Sequence, residues 1–203
     1  MSRQDGNTYS GKRFVVGISG ASGAIYGVRA LQVLGDLGVE THLVLSDGAR
    51  ATIALESEYT VEEVKALASV VHSDRNLAAS IASGSYPVDG MLVAPCSIKT
   101  LAGIANSYND NLLVRAADVT LKERRPLVLM VRETPLHTGH LRLMAQASEY
   151  GAIILPPVPA FYHAPESIMD LVDHTVGKAL DQFGIEANLF RRWPGPADRN
   201  RRQ

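Results

Sequence analysis

The chain is poor in the features that would mark it as secreted, membrane-bound or nucleic-acid-binding. It has a single cysteine, Cys96, among 203 residues. No internal disulfide can form, which suits a reducing compartment. It has no charge excess of either sign: 20 Lys and Arg stand against 21 Asp and Glu, a formal net charge of −1. Global electrostatics therefore argue against nucleic acid or an anionic membrane as partner. No apolar run approaches the ~18 residues that cross a bilayer, and Met1 to Lys12 is polar rather than signal-like. Cytoplasmic residence is the expectation. A Gly-x-Gly-x-x-Gly fingerprint is also missing, and Ser46 stands where a ribose-binding carboxylate would close the second strand. A mononucleotide is thus favoured over a dinucleotide. His137 and His140 have no Glu between them and no further ligand signature, so no metal site is expected. Cys96 has no histidine at a suggestive spacing and reads as a small buried residue, not a nucleophile.

What is present is an α/β pattern. With 46% hydrophobic and 20% charged residues, the chain can build one well-cored domain. Apolar, β-rich runs at 14–18, 40–45, 90–95, 126–131 and 152–155 predict five strands. Helical patterns fall at 24–36, about 47–56, about 60–69, 97–105, about 111–123, 137–149 and 165–183, and Thr60-Val61-Glu62-Glu63 reads as a capping box. Residues 72–89 read as loop. Strands separated by helices predict a parallel sheet covered on both faces, a single doubly wound Rossmann- or flavodoxin-like domain. Its expected span is 13–193, after a flexible leader at 1–12 and before a basic tail at 194–203, with Trp193 as the anchor of the arginine-rich end.

In such folds, ligands bind beyond the carboxyl ends of the strands. Here those ends carry Ser19–Gly23, Ser46, Pro95–Thr100, Arg132–Pro135 and Pro156–His163. Gly20-Ala21-Ser22-Gly23 is a strand-to-helix turn of small residues, the geometry that lets backbone N–H groups approach a phosphate. By itself the turn is a weak signal, and N-capping alone would explain Ser22. Ser97-x-x-Thr100 gives a second hydroxyl-rich helix start. Two such starts at one sheet edge could hold a phosphate and a polar ring together. Arg132-Glu133, a charged pair ending an apolar strand, must meet a cleft or pair internally; a cleft is favoured. Taken alone, Glu56 is a solvated helix carboxylate, Lys122 complements a helix dipole, Tyr162-His163 could be turn packing, and Lys178 is one exposed lysine of the last helix.

Five motifs occur together and in order: Gly20-Ala21-Ser22-Gly23; Pro95-Cys96-Ser97-x-x-Thr100; Arg115 through Arg125; Arg132-Glu133-x-Pro135; and Phe161-Tyr162-His163. In this the chain closely resembles the UbiX-type flavin prenyltransferases, a family also described as subunits of phenolic or hydroxyarylic acid decarboxylases. The likeness runs from about Arg13 to Trp193. It implies a metal-independent transferase that joins the dimethylallyl group of dimethylallyl monophosphate to N5 and C6 of reduced FMN. The product, prenylated FMN, would serve a UbiD-type decarboxylase, and the enzyme would form a homododecamer. The resemblance also implies site residues. Gly20, Ala21, Ser22, Ser46, Ser97, Ile98, Lys99, Thr100 and Arg132 match FMN-binding positions. Tyr162 and Lys178 match positions that grip the donor phosphate, Lys178 in a pocket shared between subunits. Lys122, Arg132 and Glu133 line the same pocket in relatives, and Arg115 belongs to the basic surround. Glu56 matches a carboxylate near the flavin N5/C6 edge, suited with Ser22 to relay the proton lost from C6.

Two departures accompany the likeness. The loop at 72–84 lacks the tryptophan that many relatives stack near the prenyl group, leaving Tyr86 or a neighbouring subunit to wall the allyl cation. His140-Leu141-Arg142-Leu143-Met144 also replaces a commoner His-Leu-Glu-Asn-Met, which touches packing or subunit contacts. A flavin-dependent cysteine decarboxylase of related fold is disfavoured because its Pro-x-Met-Asn-x-x-Met-Trp stretch is absent. The remaining alternative is a non-catalytic FMN-binding subunit of a decarboxylase complex, for which Lys122, Arg132 and Lys178 would be superfluous.

Overall fold

Six strands pair side by side in the computed structural model, which describes residues 9–193 and 195. They are β1 (Arg13–Ile18), β2 (Glu40–Leu45), β3 (Val70–Ser73), β4 (Gly90–Cys96), β5 (Leu127–Val131) and β6 (Ala152–Ile154). Every pairing is parallel, in the order β3-β2-β1-β4-β5-β6. This is the Rossmann order, with its switch point between β1 and β4.

Among the described residues seven α-helices cover the sheet: α1 (Ala24–Asp36), α2 (Asp47–Glu56), α3 (Val61–Ala66), α4 (Ile98–Ala105), α5 (Leu112–Lys122), α6 (Thr138–Glu149) and α7 (Ile168–Asp181). Side chains alternate across each strand, so Phe14, Val16, Ile18, Leu92 and Met130 pack with α1 and α7 on one face. Val15, Met91, Val93, Leu127 and Leu129 pack with α4 and α5 on the other. Burial on both faces explains why β4 and β5 read as unbroken apolar runs. Emptying one such position, for instance Leu31→Ala in α1, costs about 2–5 kcal/mol.

Three boundaries differ from the sequence pattern. The strand β3 was not expected. It sits on the sheet edge and is mostly exposed, so its four residues carry no alternation to read. To reach that edge the chain leaves α3 at Ala66, well short of 69, although the capping box at Thr60 and Glu63 forms as expected. The last helix starts later than 165, at Ile168, behind a second capping box made by Ser167 and Asp170. The end of the stretch expected as a leader is tied down: Tyr9 Oη accepts from the Glu186 N–H, and Lys12 pairs with Asp89 at 2.7 Å. Residues 1–8 of that leader, with 194 and 196–203 of the expected tail, lie outside the described residues.

Candidate active site

Beyond the end of β1, Ser19 is fully buried. Its Oγ donates to the Pro95 carbonyl (2.9 Å) and accepts from the Ser97 N–H (2.7 Å), stitching the β1 and β4 turns together across the switch point. Next comes Gly20, where a Cβ would lie 2.8 Å from the Gly48 Cα. The turns after β1 and β2 therefore touch backbone to backbone, and only glycine permits it.

Helix α1 begins in a way the sequence did not indicate. Its N-cap is Gly23 in the left-handed region (φ 96°), with no side-chain cap. This corrects the reading of Ser22 as the N-cap: Ser22 precedes that position, so its hydroxyl is not spent on the helix. The Gly23 N–H instead donates to Glu56 Oε2 at 3.0 Å. Glu56 ends α2, and this contact brings its carboxylate over the Ser22-Gly23 turn. Helix α2 is capped by Ser46, which accepts from the Ala49 N–H. Helix α4 is capped by Ser97, whose Oγ accepts from the Thr100 N–H and donates to Thr100 Oγ1 at 3.1 Å. Three helix starts thus converge on one rim, with their positive ends toward it.

Two cavities lie along this rim. The larger, of about 1050 Å³, is lined by Gly20, Ser46, Ser97, Ile98, Lys99 and Thr100, with Asp74 and Glu133 also in its wall. The smaller, of about 550 Å³, is lined by Ser22, Gly23, Tyr26, Arg132, Glu133 and the Pro156–Pro159 turn. Glu133 borders both. Volumes of this order suit an organic ligand of nucleotide size. The Arg132 side chain is exposed, which meets the expectation that the Arg132-Glu133 pair opens onto a cleft. Asp74 has its carboxyl raised above the usual range, chiefly by burial, despite the Leu113 N–H bonded to it. Cys96 is wholly buried and burial pushes its thiol up, so it presents no thiolate.

The Flavoprotein family profile matches residues 2–180. The flavin prenyltransferase UbiX of Salmonella typhimurium is 65% identical over 187 residues, covering 91% of this chain and 99% of the relative. That of Thauera aromatica is 60% identical, covering 92% and 96%. This chain is a UbiX-family flavin prenyltransferase. Among solved structures, AnUbiX (PadA1) in complex with FMN and dimethylallyl pyrophosphate superimposes with a TM-score of 0.90 at 51% identity, over 91% of this chain and 98% of that one. A dodecameric FMN-dependent UbiX-like decarboxylase from Escherichia coli O157:H7 does so at 0.88 and 52%, over 90% and 100%. The FMN-dependent cysteine decarboxylase TvaF is similar in fold alone, with a TM-score of 0.62 at 16% identity.

Of the residues that the UbiX resemblance singled out, nine line the two cavities: Gly20, Ser46, Ser97, Ile98, Lys99 and Thr100 the larger, Ser22 and Arg132 the smaller, and Glu133 both. Ala21 is buried beside them, its N–H donating to the Ser19 carbonyl. Glu56 touches the rim through Gly23. The others lie away from this crevice within one chain. Arg115 turns inward, to the Ala82 carbonyl (3.2 Å) and Asp118 (3.1 Å), and fastens the loop at 79–83. Lys122 ends α5, beside the start of β5, and pairs with Glu123; this is the opposite rim of the sheet. Tyr162 is hydrogen-bonded to His174 on α7, one turn before Lys178. Tyr86 must be withdrawn as a wall of this chain's crevice. It sits under the guanidinium of Arg13, at the start of β1, with its hydroxyl on His42. Sequence reasoning placed Ser19 among the strand-end residues without a role for it, and missed Asp74 and His174. For Ser19 the signal was a hydroxyl directly after the apolar run Phe14–Ile18.

Among the described residues, no group of three or more His, Cys, Asp or Glu is placed to hold a metal, and no helix is long and apolar enough to cross a membrane.

Proposed function

We propose that this enzyme transfers the dimethylallyl group of dimethylallyl monophosphate to reduced FMN in the rim crevice, yielding prenylated FMN for a UbiD-type decarboxylase. The observation that carries this reading is the pair of adjoining cavities that share Glu133, one with a phosphate-type turn set and the other with Ser22 and Arg132. A carrier subunit needs only the first.

The larger cavity fits FMN by its donor set. Two capped helix starts, the Lys99 ammonium and the Gly20–Gly48 backbone contact leave room and N–H groups for a phosphate and a polar chain. In this assignment Gly20, Ala21, Ser22, Ser46, Ser97, Ile98, Lys99, Thr100 and Arg132 hold the flavin. Reduced FMN supplies the two nucleophilic positions, N5 and C6, that take the prenyl group. Arg132, Tyr162 and Lys178 grip the donor phosphate and stabilise the charge that builds as it departs. Glu56, with Ser22 beside it, takes up the proton released from C6. Its contact with the Gly23 N–H aims the carboxylate while leaving its second oxygen for that task.

Lys122, Tyr162, Lys178 and Arg115 act, on this reading, where protomers of a homododecamer meet, so that a crevice is completed by a neighbour. The same contact supplies the wall that the missing tryptophan leaves open. The protein works in the cytoplasm, in keeping with its lone buried thiol. Anaerobic incubation with FMN, a reductant and dimethylallyl monophosphate, followed by mass analysis of the flavin, tests the proposal. A gain of one prenyl unit is expected. Tightly bound FMN of unchanged mass would favour the carrier subunit instead.

A further inference from the structure

Tyr162 and Lys178 stand on different elements, and one buried side chain joins them. His174 is only 8% exposed. It precedes Lys178 by one turn of α7, on the same face. Its Nε2 lies 2.9 Å from Tyr162 Oη. The ring is fixed from both sides, stacked on His163 (centroids 4.8 Å apart, 5° between planes) and packed on Phe190 at 4.6 Å. Burial, then His163, then Lys178 all disfavour a second proton on it. Asp181, the carboxylate beside Lys178, is held by Arg192 at 2.6 and 2.9 Å.

A phenol has one hydrogen to give. If His174 carries its proton on Nδ1, Tyr162 must donate to Nε2 and can offer an anion only lone pairs. If the proton is on Nε2, the imidazole donates to Tyr162 Oη, and the phenol hydrogen is free to point outward. Tyr162 is 44% exposed, so its side chain is not enclosed by the fold. We infer that His174 is the positioning residue of the donor site: its Nε2–H donates to Tyr162 and turns the phenol hydrogen onto a phosphate oxygen of the prenyl donor. The inference rests on the assignment of Tyr162 to that phosphate. It gives His174 a part in binding the phosphoester and none in binding the flavin.

The test uses the full-length, FMN-loaded protein and calorimetric titration with dimethylallyl monophosphate, read separately from turnover. His174→Phe keeps the ring packing and removes the donor. It is expected to weaken donor binding about tenfold, the loss of one hydrogen bond to a charged group, with FMN affinity within twofold of wild type. Tyr162→Phe should do the same, and the double variant should be no weaker than Tyr162→Phe alone. His174→Gln, whose amide N–H can reach the phenol oxygen, should restore most of the affinity. Donor binding unchanged in His174→Phe, additive losses in the double variant, or a His174→Gln as weak as His174→Phe would each overturn the proposal. Should His174→Phe fail to fold, His174→Met serves as the donor-less variant under the same criteria. A wild type that binds the donor without turnover defeats the functional reading and leaves these affinities to decide His174; a wild type that binds no donor defeats both.

Discussion

The two rims of the sheet are both polar, but only one of them is chemically closed. At the amino-terminal rim, Arg13 grips Glu40 with two bonds (2.8 and 2.9 Å) and lies over the Tyr86 ring. Glu40 also meets His42 Nε2 at 2.8 Å, His42 Nδ1 meets His72 at 2.8 Å, and Lys12 meets Asp89. Each of these charged groups has a partner inside the chain. At the carboxyl rim, the Arg132 side chain has no ion-pair partner among the described residues, and the Ser-capped starts of α2 and α4 face a crevice. A saturated network stabilises the fold, whereas donors left open at the far end await a ligand. Substitutions at the two rims should accordingly separate stability from chemistry.

The sharpest division is expected from Glu56→Gln. The amide oxygen can still accept from the Gly23 N–H, so the turn and bound FMN should survive while product formation falls about 10²–10⁴-fold. Normal turnover, followed by flavin mass, would remove Glu56 from the chemistry. Lys178→Ala comes next: donor affinity should drop about tenfold or more with FMN affinity held. Equal losses for both ligands would blur the distinction between the two cavities. Gly20→Ala drives a methyl group against the Gly48 backbone and should cost about 1–3 kcal/mol of stability by urea melting, together with weaker FMN binding. Stability and FMN affinity like wild type would show the two turns to be independent.

The smallest effect belongs to the closed rim. The Glu40 carboxyl is held at about 2, against 4.5 for the free group, by its bond to Arg13 first and to His42 second. A depressed value means that the ionised form favours the folded state fully above pH 4.5, and that this advantage fades as pH falls toward 2. Glu40→Gln should therefore flatten the acid side of the stability curve in that window and leave FMN affinity untouched. An unchanged slope in urea midpoints against pH would mean that the network contributes nothing.

Much of the fold was legible because burial on both faces writes strands as apolar runs, and caps such as Thr60 and Ser97 write helix starts. The strand at 70–73 was not legible: an exposed edge imposes no alternation on Val70, Val71, His72 and Ser73. The crevice was legible where its residues follow strand ends directly, as Gly20, Ser97 and Arg132 do. It was hidden where a role depends on what the chain brings back from far away. Glu56 looked like any surface carboxylate until Gly23, left-handed and uncapped, turned its N–H toward it. His174 carried no signal in the sequence; its place shows only where Tyr162 returns onto it. Arg115 and Lys122 belong to positions that a single chain turns away from its own crevice.

Glu133 works as a party wall. Because the same side chain borders both chambers, an alteration there will be felt by either occupant, and affinities for the two ligands should shift in concert. Selecting variants for an altered prenyl donor by mutating this position would disturb flavin retention too, whereas the proline turn offers a way to reshape the smaller chamber on its own side.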